Sequence, residues 1–154
     1  MYGDGIRLRR NKASMVVRQM EYVQYAARKY YRIRKEIGFK MIRVKPGLVK
    51  AITFGFAAAI TLWPFGIYLR DVKYLSNRRM LNHESIHWEQ QKELGGILFY
   101  VLYLIEWIIK LFIYGRRAYI NLSSEREAYH FDDDMDYLEA RKRYQWLKYI
   151  FKKP

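Results

Sequence analysis

Hydrophobic and polar positions divide the chain into segments with different periods. Over residues 13–37, Val16, Met20, Val23, Ala27 and Tyr30 keep helical spacing while Arg18, Arg28, Lys29, Arg32 and Lys35 fall elsewhere, which predicts an amphipathic helix. Phe39 to Val44 alternates imperfectly, and Pro46-Gly47 reads as a turn. Ala51 to Leu69 then runs without a charge for long enough to span a bilayer, but Gly55, Pro64 and Gly66 interrupt it. Ile60 to Leu69 is rich in β-branched and aromatic residues, so a short strand or hairpin is expected there, with Pro64 at an edge or bulge.

Helical patterning resumes afterwards. One helix is expected to start between Ser76 and Asn82 and to stop at Gly95-Gly96; its Glu89 to Glu93 stretch is too polar to cross a membrane. Ile97 to Tyr114 follows, apolar on nearly every side, with only Glu106 and Lys110 charged. Those two stand four apart with the glutamate first, the favoured order for an ion pair on a helix. A helix of this kind is buried either in protein or in lipid. A last helix is predicted from Ser123, as N-cap, to about Tyr149, with Asp132 to Asp134 a solvated part of it. The expected fold is mostly α with a small β element (α+β), built from antiparallel helices.

Charge is distributed unevenly. Residues 1–50 hold 14 Lys or Arg against 3 acids, a net of +11, whereas residues 51–154 contribute only +3 of the total +14. The chain therefore reads as a basic N-terminal helical arm, 1–48, and a domain, 49–154. Such an arm favours an anionic partner; a membrane surface is preferred to nucleic acid. The amino-terminal residues lack the apolar stretch of a cleavable signal peptide, and a cytoplasmic, membrane-associated protein is expected. With no cysteine in the chain, a metal would need nitrogen and oxygen ligands. Nothing in the sequence sets an oligomeric state.

The chemistry concentrates at His83-Glu84-Ser85-Ile86-His87. Positions four apart lie on one helical face, so both imidazoles can meet one ion. Glu84 beside them is placed to act as a general base on water rather than as a ligand. This is the H-E-x-x-H arrangement of zinc hydrolases, and it uses two of the chain's three histidines. Zinc needs a third protein ligand. If the chain folds back at Gly95-Gly96 and again at Gly115, then His87, Glu106 and Glu125 come to one level. Glu106, Glu125 and Glu127 therefore compete for that role.

Ser124-Glu125-Arg126-Glu127-Ala128-Tyr129, downstream of H-E-x-x-H, resembles the Glu-x-x-Ala-Asp segment of gluzincin metallopeptidases. The likeness implies a zincin-like site with His83, His87 and Glu125 as zinc ligands, Glu84 as catalytic base, and a peptide or protein as substrate. It departs at Tyr129, where that family usually has an aspartate orienting a histidine ligand. Ala51 to Phe65, Asn82 to Glu93 and Ser124 to Tyr129 together are also similar to small H-E-x-x-H proteins of bacteria and phages. In zinc hydrolases of this kind an edge strand before the metal-binding helix receives an extended peptide.

Two other readings use the same residues. Glu84-x-x-His87 and Glu127-x-x-His130, with Glu106 and Glu21, match the ligand set of a ferritin-like di-iron bundle. A metal-stabilised membrane or assembly protein without catalysis is the other.

Overall fold

The computed structural model describes residues 42–151. The predicted helix over 13–37, and with it residues 1–41 of the basic arm, lies outside the described residues. The small sheet comes first. Strand β1 is Ile42–Val44, β2 is Ala59–Leu62 and β3 is Gly66–Leu69, in the order β1-β3-β2. β3 pairs in parallel with β1, Ile42 opposite Ile67, and antiparallel with β2, Thr61 opposite Ile67. Its four residues are all buried, as befits a central strand. The expected short strand or hairpin is thus a hairpin, but Pro64 sits in its turn, after a cis Trp63–Pro64 bond, and not at an edge or bulge.

Pro46-Gly47 does not make the expected turn. It opens helix α1, Pro46–Thr53, because a proline in the first helical turn lacks only an N–H that would have no partner there. α1 ends at Phe54 and Gly55, both with positive φ.

Helix α2, Arg78–Glu93, carries the H-E-x-x-H motif, and Asn77 caps it by accepting from the Met80 N–H at 3.1 Å. Leu81 to His87 is buried on every side of the helix, an unusual run for residues so polar. The chain turns back at Gly95 and Gly96, both at positive φ. A side chain at Gly96 would also press on Trp63, 3.1 Å from an added Cβ, so glycine serves both backbone and packing there. Helix α3, Ile97–Tyr114, follows, and Gly115 at positive φ ends it.

The last segment departs from the expected long helix. α4 covers only Ser123–Phe131, a short α5 covers Tyr137–Ala140, and a 3₁₀ turn covers Gln145–Tyr149. The break has a visible cause. The Asn82 carboxamide on α2 reaches the carbonyls of Phe131, Asp132 and Asp134 at 2.8–3.2 Å, so the carbonyls left open at the end of α4 find a donor on the neighbouring helix. Ile86, Ala128 and Tyr137, with Phe131 and Leu138, form the core that joins α2, α4 and α5. The start of α4 is also capped differently from expectation. Ser123 is the first helical residue, and Glu106 of α3 accepts from its N–H at 2.9 Å and from its hydroxyl at 2.7 Å. The described chain is mostly helical with one small sheet, an α+β arrangement.

Candidate metal site

α2 presents His83 and His87 one turn apart, and α4, started by Glu106, presents Glu125 to them from across the fold. His83 Nε2 and His87 Nε2 stand 3.1 Å apart. Glu125 Oε2 lies 3.4 Å from His83 Nε2, and Glu125 Oε1 lies 3.4 Å from His87 Nε2. All three side chains are buried, and among the described residues they form a group able to hold a metal ion. In a tetrahedral zinc site with bonds of about 2.0–2.1 Å, neighbouring ligand atoms lie roughly 3.3–3.4 Å apart. The 3.1 Å between the two imidazoles and the 3.4 Å from each to its own Glu125 oxygen are close to that spacing. Glu125 Oε2 adds a second sign of fit, since it is buried and accepts no well-aligned hydrogen bond.

The surroundings fix how the ligands point. Gln90 Nε2 donates to Glu127 Oε2 and to the Ser124 carbonyl, each at 3.0 Å, and both partners can only accept. The Gln90 oxygen must therefore face His87 Nδ1, at 2.8 Å, which makes Nδ1–H the donor and leaves Nε2 as the ring nitrogen that faces the triad. Tyr103 of α3 donates to Glu125 Oε1 at 3.2 Å. The Tyr129 ring packs against His83 with centroids 4.6 Å apart. Asp132 brings Oδ2 to 4.0 Å from His83 Nδ1, while its Oδ1 accepts from Arg79 at 2.7 Å. Glu84 lies buried beside the pair. The Thr61 hydroxyl on β2 is 2.7 Å from Glu84 Oε2 and 2.8 Å from the Glu84 carbonyl, and its one proton serves either.

The charges are strongly coupled. Burial by itself would lower the His87 pKa. The Glu125 carboxylate, with smaller help from Glu84 and Gln90, overrides that and pushes it up to about 9. Burial would correspondingly raise Glu125, but His87 and His83 hold it well below the usual carboxylate range. Burial and then Glu125 push the Tyr119 and Tyr129 hydroxyls up, so both stay protonated donors.

The three acids that compete in sequence have three different positions. Glu125 joins the histidines. Glu106 caps α4 and pairs with Lys110 at 2.6 Å. Glu127 is fully buried, where it accepts from Gln90, from Tyr137 at 2.7 Å and from Arg141. His130 is exposed against Phe131. Among the described residues the di-iron set is therefore not gathered, because Glu106 and Glu127 are spent on capping and on Arg141. Asp132 corrects another expectation: it is buried beside His83 and is no solvated acid.

Gln90, Asp132, Thr61 and Tyr103 are the site residues that sequence patterning passes over. Two of them carry a signal in hindsight. Gln90 follows His87 by three, and Asp132 follows Glu125 by seven, each on its ligand's own face. The edge strand is also as expected in position, but the Thr61 carbonyl and the Trp63 N–H on its outer side are bonded to Gln91 at 2.9 and 2.8 Å. Comparison of the chain with protein-family models, with curated proteins and with solved structures finds no match.

Proposed function

We propose that the protein is a zinc-dependent hydrolase, gluzincin-like in its site, that cleaves peptide bonds. The observation that carries this reading is the convergence of three buried ligands: His83 Nε2 and His87 Nε2 stand 3.1 Å apart, each 3.4 Å from a different oxygen of Glu125, on a helix that also places Glu84 next to the first ligand. A zinc ion held by these three residues supplies electrophilic polarisation of a carbonyl and makes water acidic near neutral pH. The remaining work falls to the chain. Glu84, kept in place by Thr61, takes a proton from the attacking water and returns it to the leaving amine. Gln90 holds His87 in the tautomer that leaves Nε2 free. A peptide that pairs with the outer edge of β2 at Thr61 must first displace the Gln91 side chain.

Metal analysis of protein purified without a histidine tag tests the reading. About one zinc per chain is expected, lost in His83→Ala, His87→Ala and Glu125→Ala but retained in His130→Ala. Two irons per chain, lost with His130→Ala, would establish the di-iron alternative instead. One zinc without any peptide cleavage would leave the ion as a structural staple.

Zinc affinity should depend on pH in a way peculiar to this site. Below about 9, His87 carries a proton that an incoming cation must displace. Affinity should therefore rise about tenfold per pH unit and level off only near pH 9, well above the ordinary histidine range. Titration with a competing chelator from pH 6 to 9 checks this; a plateau already reached at pH 7 would mean that Glu125 does not hold that proton.

A further inference from the structure

The outer surface of α3 has no counterpart in the site just described. Its inner stripe is Phe99, Tyr103, Glu106 and Lys110, spaced by four, three and four, and these reach Glu125, Ser123 and Asn121. Every other position from Ile97 to Ile113 is exposed, and every one is apolar or aromatic. Phe112 is 87% exposed and Ile97 80%. At about 100° per residue, these positions fill an arc of about 240° around the helix.

An arc of that width constrains what covers it. A packed helix takes a stripe of roughly 100°, so neither one helix from residues 1–41 nor α3 of a second copy can cover more than part of this surface. A fluid apolar medium can. Length alone would let α3 cross a bilayer. However, α3 is bonded along its length to α2 and α4, through Gln91, Glu125 and Ser123. A crossing α3 would carry their exposed charges, among them Arg79, Lys92 and Asp133, into hydrocarbon. A helix lying in the plane of the surface keeps those charges in water and still embeds the whole arc. Arg116 and Arg117, exposed directly after α3, then meet the headgroup layer, where anionic lipid favours them.

We propose that α3 is an in-plane membrane anchor, sunk lengthwise into one leaflet of an anionic bilayer with the sheet and the other helices above it. The proposal does not depend on the metal reading, since it uses only the outer surface of the helix.

The full chain has no cysteine, so single cysteines at Val101, Leu104, Ile108 and Phe112, all on the middle of the arc, can each carry an environment-sensitive fluorophore. Vesicles of phosphatidylcholine and phosphatidylglycerol at 3:1, with bromine quenchers at stepped depths, give the depth of each label. Equal depth at all four is expected, with binding at least tenfold weaker to phosphatidylcholine alone. Leu104→Asp/Ile108→Asp should lower vesicle binding at least tenfold while its circular dichroism stays that of the parent chain. A shallow, deep, shallow series along the helix would overturn the proposal in favour of a span. Labels already shielded in buffer and unmoved by vesicles would overturn it in favour of cover by residues 1–41 or by a second copy; comparison of the full chain with its mass in solution separates those two.

Discussion

Peptide cleavage is expected to fall about 10² to 10⁴-fold when Glu84 is changed to Gln, while the zinc content stays near one per chain. The two halves of that result come from different parts of the geometry. Glu84 stands outside the triangle formed by His83, His87 and Glu125, so its loss removes no ligand. Gln keeps the size of the side chain and can still accept from the Thr61 hydroxyl, now 2.7 Å from Glu84 Oε2, so the packing between α2 and β2 survives. What disappears is the proton acceptor. Glu125→Gln should behave in the opposite way, weakening zinc binding first, because the charge that draws the cation goes with it. Metal content and turnover on a fluorogenic peptide library, measured on both variants, separate the two roles. If Glu84→Gln loses zinc as readily as Glu125→Gln does, Glu84 is a ligand and the hydrolase reading fails.

Local chemistry was legible in the chain where it depended on helical spacing. The His83–His87 pair needed only a helix through the motif, and Asn77, Gly95 and Gly96 bound that helix where capping and glycine signals put its ends. The level of Glu125 followed from two turns at glycine and a rise of about 1.5 Å per residue. The choice among Glu106, Glu125 and Glu127 did not follow, because it turns on which face of α3 and α4 each one occupies. Glu106 looks inward, yet it meets the N-terminus of α4, a partner defined only by the fold. Glu127 shares a helix with Glu125, two residues on and so about 200° around the axis, and points at Arg141 instead. The end of α4 was equally hidden: its helix-stopping contact comes from Asn82, 49 or more residues earlier. Pro46-Gly47 was misleading for a local reason, since proline fits a first helical turn as well as a turn between strands.

Arg141→Met is expected to destabilise the fold by about 3–5 kcal/mol, the usual cost of removing one partner from a buried ion pair. Among the described residues Arg141 is the one cation between two buried carboxylates, bonding Glu93 with one edge of its guanidinium and Glu127 with the other. Burial alone would lower its pKa, but Glu93 and Glu127 outweigh that and raise it above the usual value, so it stays charged throughout. Its loss leaves Glu127, which has no exposed surface, with Tyr137 and Gln90 as its donors among the described residues. The consequence reaches the candidate metal site, because that same Gln90 orients His87. Thermal unfolding should drop by roughly 10–20 °C, and zinc affinity in the variant that remains folded should fall by about 10 to 100-fold, as for other outer partners of a metal ligand. Adding Glu127→Gln to Arg141→Met removes the deeper of the two stranded charges and should restore part of the stability, since a neutral group costs far less to bury. Calorimetry on the single and double variants decides the point: a single-variant loss below 1 kcal/mol, or no recovery in the double, would mean that water reaches Glu127 and that the chain from Arg141 to His87 carries no strain between them.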